Sequence, residues 1–186
     1  MNLSAFLRQF FEFTSELDTW IADNVDEREY PKGTLLLEMD NLSNKIFFIE
    51  RGLARTFYYK DGKDITHFFF KEGEISMPIE SIFFKKPSPY ALELLENSRV
   101  ATVNYRDFES LKEIFPVLEK VQGLLMTRVL DEFSERLFAI QFQSAKERYE
   151  ILINRYPDII LRTPLGHIAS YIGITQQTLS VIRSQM

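Results

Sequence analysis

Thr163-Pro164-Leu165-Gly166-His167-Ile168-Ala169-Ser170-Tyr171-Ile172-Gly173-Ile174-Thr175-Gln176-Gln177-Thr178-Leu179-Ser180-Val181-Ile182-Arg183 is the stretch from which the architecture of this chain is read. Thr163 stands where a helix cap is wanted, and Pro164 suits the first helical position, where a missing N–H costs nothing. Ile168, Ala169 and Ile172 share one face of that helix, with Ala169 small enough for a second helix to cross closely. Gly173 supplies a left-handed turn without a Cβ penalty. Ile174 plugs the angle, Thr175 caps the second helix, and Leu179 and Ile182 form its inner face. Cap, small crossing residue, turn glycine, plug and second cap in this order predict a helix-turn-helix. A plain helical hairpin with a wet polar face satisfies the same offsets and stays open as the alternative.

On the second helix, Gln176, Gln177, Thr178, Ser180 and Arg183 are left for solvent or nucleic acid. Glutamine matches the N6 and N7 edge of adenine, a threonine methyl matches the thymine methyl, and helix N-terminal amides suit a phosphate. Gln176, Gln177 and Ser180 are therefore assigned to a groove floor, with Thr175 and Arg183 toward the backbone. His167 is expected to face outward, as a phosphate neighbour or as plain surface.

Upstream, Ser144 and Glu147 form a Ser-x-x-Glu capping box that opens a helix through Ile153, before Tyr156-Pro157. Before it, Val117, Leu118, Val121, Leu124, Leu125, Val129, Leu130, Phe133, Leu137 and Ile140 recur at spacings of three and four. Pro116 opens this long helix, and Asp107 is placed to cap a shorter one over Glu109 to Ile114. A helix this long exceeds the usual 11–12 residues, which points to a dimerisation helix; an ordinary buried helix closing one core is the alternative.

Between Tyr30 and Tyr105 the pattern is that of short strands: Thr34 to Leu37, Lys45 to Glu50, Leu53 to Tyr59, Ile65 to Phe70, Ala91 to Leu95 and Ser98 to Tyr105. Pro31-Lys32-Gly33, Glu50-Arg51-Gly52, Lys60-Asp61-Gly62-Lys63 and Lys71-Glu72-Gly73-Glu74 separate them, as turns in an antiparallel sandwich or small barrel do. A longer connection, with a short helix over Glu80 to Phe84, fills the gap, and Met1 to Phe13 reads as a short amphipathic helix. The expectation is an α+β chain in three parts: a β-rich domain over 1–115, a long helix over 116–140 and a helix-turn-helix domain over 141–186.

Bulk composition agrees with a folded chain: 186 residues, 45% hydrophobic and 14% aromatic, with 17 phenylalanines. Absence of cysteine excludes disulfides and thiolate ligation, and suits a reducing cytoplasm. No apolar run reaches membrane-spanning length, and no signal peptide is apparent. Residues 1–140 carry 17 Lys and Arg against 24 Asp and Glu, net −7, whereas 141–186 carry 5 against 3, net +2. The C-terminal part is thus mildly basic within an acidic chain. Catalysis has little support: the two histidines, His67 and His167, stand apart, with no metal-ligand spacing or nucleophile motif around either. Asp61, Asp64 and Glu74 read as turn and rim carboxylates.

Taken together, these stretches resemble the Crp/Fnr regulators, in a divergent branch common in Bacteroidetes-type bacteria. The resemblance runs through Tyr30-Pro31-Lys32-Gly33-Thr34-Leu35, Ile46-Phe47-Phe48-Ile49-Glu50-Arg51-Gly52-Leu53-Ala54-Arg55, Phe69-Phe70-Lys71-Glu72-Gly73-Glu74-Ile75, Tyr149 to Pro157, and Ile168 to Ser180. It implies a cyclic-nucleotide-binding-like double-stranded β-helix (jelly roll), a dimer helix and a DNA-binding domain. It also implies a cytoplasmic homodimer on an inverted-repeat promoter site in double-stranded DNA, contact with RNA polymerase, and control by a small-molecule effector in some members.

The implied ligand site departs from the family pattern. Gly73 and Glu74 look like its Gly-Glu pair, but the Arg-Ser/Thr-Ala element that takes the cyclic phosphate should fall near Ser88-Pro89-Tyr90, which holds no arginine. Lys85 and Lys86, just upstream, read as surface. The expected ligand-contacting residues are Gly73, Glu74, Ser88, Pro89 and Tyr90, with an effector other than cyclic AMP or none, and no cofactor is assigned. Val181 stands where the branch tends to carry arginine, and the sequence stops at Gln185-Met186, close to the second helix. Both favour the alternative of a ligand-binding or protein-interaction module that has lost DNA binding.

Overall fold

The computed structural model describes residues 2–10, 12 and 14–185. Two short helices come first. In α1 (Leu3–Leu7) the Asn2 side chain accepts the Ala5 amide, and in α2 (Ser15–Asn24) Thr14 accepts that of Leu17, so each first turn has a local cap. The part of the expected Met1 to Phe13 helix at Met1, Phe11 and Phe13 lies outside the described residues.

Among the described residues, eight strands then fold into two four-stranded antiparallel sheets. One has the order β1 (Asp26–Tyr30), β8 (Ser98–Asn104), β3 (Lys45–Arg51), β6 (Ile75–Ser76). The other runs β2 (Leu35–Leu37), β7 (Ala91–Leu94), β4 (Ala54–Lys60), β5 (Lys63–Phe70). Their facing sides bury Leu37, Phe47, Ile49, Ala54, Leu92, Leu94 and Val100. This is the double-layered β-roll expected from the short strands.

The β4–β5 hairpin turns on Asp61 and Gly62, with φ of 51° and 71°, the two left-handed residues that a tight hairpin asks of an Asp-Gly pair. In the preceding turn, between β3 and β4, Gly52 at φ 111° is pressed against Ser98: an added Cβ would stand 3.0 Å from the Ser98 Cα and closer still to its side chain. Only glycine fits there. Strand β1 was not expected. Four of its five residues are charged and exposed, so no apolar alternation marks it, and it is held by a full antiparallel register with β8.

Helix α3 (Ile79–Phe84) crosses the connection before β7, matching the expected Glu80 to Phe84 turn of helix. After β8, helix α4 (Tyr105–Ile114) begins at an Asn104 cap. Asp107 is therefore inside its first turn, where the helix dipole favours its charge, and does not cap it. Helix α5 (Val117–Phe142) is 26 residues long, yet only Leu118 and Val121 along it are buried. No helix among the described residues is long and apolar enough to cross a membrane.

Four helices complete the chain: α6 (Ala145–Arg155), α7 (Ile159–Arg162), α8 (Leu165–Tyr171) and α9 (Gln176–Ser184). The Ser144 to Glu147 capping box is present in both directions. Helix α7 was missed, being a single turn of Ile-Ile-Leu-Arg whose cap residue, Asp158, makes no side-chain cap hydrogen bond. These helices share a core with the β-roll: Leu53, Phe69 and Leu95 pack with Tyr149, Leu152, Ile159, Ile168 and Leu179.

Candidate functional site

Helices α8 and α9 meet as the sequence requires. Ile168, Ala169, Leu179 and Ile182 are buried between them, and Gly173 turns the chain at φ 73°. The Ile174 amide donates to the Ala169 carbonyl at 3.0 Å, closing the turn, and Ile174 packs on the shared core. Thr175 caps α9 through its hydroxyl, which accepts the Thr178 amide at 3.1 Å and meets the Thr178 hydroxyl at 2.9 Å.

At the head of α8 the expectation fails. Pro164 is itself the cap residue, with an extended ψ of 137°, and no side chain caps this helix. Thr163 is buried, and its hydroxyl finds no hydrogen-bond partner among the described residues.

Gln176, Gln177, Thr178, Ser180 and Arg183 are all exposed on one side of α9, as is Val181. The Ser180 hydroxyl donates to the Gln176 carbonyl at 3.0 Å and keeps its lone pairs for an incoming donor. Gln176 reaches back over Gly166 at the start of α8. This leaves Gln177 and Arg183 as the long polar side chains projecting freely, with a capped helix N-terminus beside them.

His167 does not belong to this face. It is turned toward the β-roll, with Nδ1 3.9 Å from an Asp64 carboxylate oxygen, over the cluster in which Arg55 pairs with Asp64 and Glu93. Burial, with the nearby Arg55 cation, holds its pKa below the ordinary histidine value. Its neighbour Ser170 confirms the direction of this side, accepting the Thr66 amide at 3.1 Å. The outward orientation expected of His167 is thus corrected: the sequence does not reveal that α8 lies against β5.

The second candidate site is a cavity of about 460 Å³ bounded by the β-roll, α1, α2 and α5. It gathers Gly73, Glu74, Ser88 and Tyr90 but not Pro89, which is exposed on the turn outside. Gly73 provides a left-handed corner at φ 84°. Glu74 accepts the Lys71 amide through Oε2 at 3.0 Å, and burial pushes its carboxyl above the ordinary range. Ser88 is consumed by its own turn, donating to the Tyr90 carbonyl at 2.9 Å and accepting the Tyr90 amide at 3.2 Å. Ser88 therefore shapes the wall and offers no free donor.

His67, missed as a site residue, is the central feature of this wall. Between Thr56↔Phe68 and Phe57↔Thr66 the β4–β5 register slips, so His67 is the extra residue of a β-bulge. The bulge lays its ring flat on Tyr90, centroids 4.2 Å apart and planes 2° from parallel. It also frees the His67 carbonyl, which accepts from the Arg136 guanidinium of α5. That guanidinium lies 5.0 Å from the Phe68 ring centre and 4.4 Å from that of Tyr171, tying α5 to both β5 and α8. A lone polar residue in an aromatic strand gave no sign of the bulge.

Comparison with known proteins agrees with this geometry. Residues 27–114 match the cyclic nucleotide-binding domain family. Among solved structures, a variant of CooA from Carboxydothermus hydrogenoformans superposes with a TM-score of 0.75 at 19% identity, covering 100% of this chain and 84% of its own. FixK2 from Bradyrhizobium japonicum gives 0.72 at 20%, covering 87% and 83%. A protein from Eubacterium rectale assigned to the crp/fnr family gives 0.72 at 14%, covering 95% and 87%. No curated protein sequence matches. The fold is that of the Crp/Fnr regulators. Within the Crp/Fnr fold, α5 is the long connecting helix and α8–α9 the helix-turn-helix, while the cavity sits in the cyclic-nucleotide-binding-like part. Among the described residues no group of three or more His, Asp or Glu side chains is placed to hold a metal ion.

Proposed function

We propose that this protein is a homodimeric, sequence-specific transcriptional regulator of the cytoplasm, in which α9 reads an inverted-repeat site in double-stranded DNA, and not an enzyme. The observation that carries the reading is α9 itself. Leu179 and Ile182 are buried in the core, and Gln176, Gln177, Thr178, Ser180 and Arg183 are exposed over the rest of its surface. Such a surface, with polar groups at the helix N-terminus and a cation one to two turns on, suits a major groove. Dimerisation is supported by α5, where Leu124, Leu130, Phe133, Leu137 and Ile140 are exposed apolar residues on a helix too long to serve one core. Two-fold symmetry then places half-sites about 34 Å apart. The parts are a β-roll over 1–115, the dimer helix over 116–140 and the DNA-binding domain over 141–186. RNA polymerase and a small-molecule effector are its further partners.

Selection from a randomised duplex pool, followed by titration of the enriched sequence at two salt concentrations, tests this. An inverted repeat should emerge, with affinity falling steeply with salt and lost on Arg183→Ala. Enrichment of no sequence, in buffer and in cell extract alike, would sink it. One feature favours a second reading, a module of this fold that has lost DNA binding: Val181 sits exposed on the face of α9 where a phosphate contact would be useful. That reading predicts equally weak binding to every duplex.

A further inference from the structure

The cavity of about 460 Å³ falls in the size range of small-molecule sites, and its chemistry differs from that of an anion site. Its wall is largely apolar and includes Phe6 and Trp20 of the N-terminal helices, Phe48 of β3, and Leu125, Val129 and Phe133 of α5. Against this apolar surface stand three carboxylates, Glu74, Glu80 and Glu132, and a single arginine, Arg128, which is exposed on α5. Glu132 is committed to Arg155. A phosphate placed here would lose its water and meet no buried cation among the lining residues, which is prohibitive in an apolar site. Glu74, by contrast, uses only Oε2 within the protein, for the Lys71 amide, and its Oε1 has no partner among the described residues. His67, neutral because burial and Arg136 lower its pKa to about 4, lies flat on Tyr90 and adds an uncharged aromatic panel.

We infer that this cavity binds a neutral, largely apolar small molecule bearing a hydroxyl group, with Oε1 of Glu74 as its polar anchor, and that it rejects cyclic nucleotides and other anions. The molecule's role as effector rests on the regulator reading, since Val129 and Phe133 wall the cavity on the helix whose exposed Leu130 and Leu137 do not line it; its binding does not.

The test uses the full chain without DNA and the neutral probe N-phenyl-1-naphthylamine, which accepts energy from tryptophan. Trp20 is the chain's single tryptophan and stands on the cavity wall, so bound probe should quench it with one-to-one stoichiometry. 1-Decanol should displace the probe at a concentration at least tenfold below that of decanoate or cyclic AMP. Glu74→Leu should weaken decanol at least fivefold, and Val129→Phe, a change at a half-exposed position, should weaken the probe itself. Should either variant fail to fold by circular dichroism, the displacement series on the unchanged chain decides. Equal or better displacement by cyclic AMP or decanoate overturns the inference, as does probe binding that leaves Trp20 unquenched, or no binding at all. Duplex binding is measured separately: probe capture without duplex recognition removes only the regulator reading, and duplex recognition without probe capture removes only this one.

Discussion

Arg55 carries its charge into the β-roll with a side chain only 3% exposed, and survives there because every donor direction is answered. Its guanidinium bonds Asp64 at 2.5 and 2.6 Å, Glu93 at 2.8 Å and the Thr66 hydroxyl at 3.0 Å. Truncation strands two carboxylates beneath α8, so Arg55→Ala should cost about 3–5 kcal/mol, the range for breaking a buried pair from one side. Urea unfolding of the variant measures this, and a loss under 1 kcal/mol would mean that the carboxylates relax into water. His67 offers a second residue-level test. Its folded pKa of about 4 lies below the ordinary 6.5, so the unfolded chain binds the extra proton first as acid is added. The His67 contribution to stability is therefore complete above about pH 6.5 and is lost as pH falls from there toward 4. His67→Phe, which keeps a ring against Tyr90, should flatten the stability profile in that window; an unchanged slope there would assign the pH dependence to other groups.

Helix α5 shows what an element can reveal before its surroundings are known. Its three- and four-residue periodicity was legible, and so was its length, because both are local properties of the chain. The same holds for the Ser144 capping box, the Asp61-Gly62 hairpin and the Thr175 cap, each closed by residues within a few positions of one another. What stayed hidden depends on distant partners. Strand β1 is recognisable only beside β8, the His67 bulge only in register with β4, and the inward turn of His167 only once α8 is docked on β5. The cavity was partly legible for this reason: Gly73, Glu74, Ser88 and Tyr90 line it, but its aromatic and α5 walls come from elsewhere in the sequence. Leu130 and Leu137, two turns apart on α5 and 69% and 58% exposed, belong to none of the hydrophobic cores of the described residues. Leu130→Glu with Leu137→Glu should then leave the protomer folded and shift sedimentation equilibrium from dimer to monomer at micromolar concentration. A double variant that remains dimeric would move the interface off this helix.

At the scale of the molecule, the β-roll and the helix-turn-helix are fastened by more than the chain that joins them. Arg162 of α7 reaches across to Glu72 and Glu96 of the β-roll, both at 2.7 Å through Nη2, while the Tyr156 hydroxyl donates to the Phe69 carbonyl at 3.3 Å. Beneath these bonds Leu53, Phe69 and Leu95 are buried in one core with residues of α6 to α9. Two units that share a core in this way should unfold together, giving one calorimetric transition for the chain, with a midpoint that rises with concentration if dimerisation is linked to folding. Arg162→Ala removes the ionic part while leaving the core. Its expected cost at neutral pH is about 1–2 kcal/mol, the value for hydrogen bonds between charged groups reduced for partial exposure. Burial by itself would raise the Glu72 carboxyl, but hydrogen bonds from Arg162, from its own amide and from Gly52 outweigh it and hold the pKa below the ordinary carboxylate value. A carboxyl depressed in the folded state stabilises above its unfolded pKa and loses that contribution as pH falls through the folded one. The gap between native and Arg162→Ala chains, measured by urea unfolding from pH 7 downward, should therefore narrow as acid protonates Glu72. A gap that does not change with pH would assign Arg162 to packing, and two separated transitions in the native chain would show that the shared core does not couple the units.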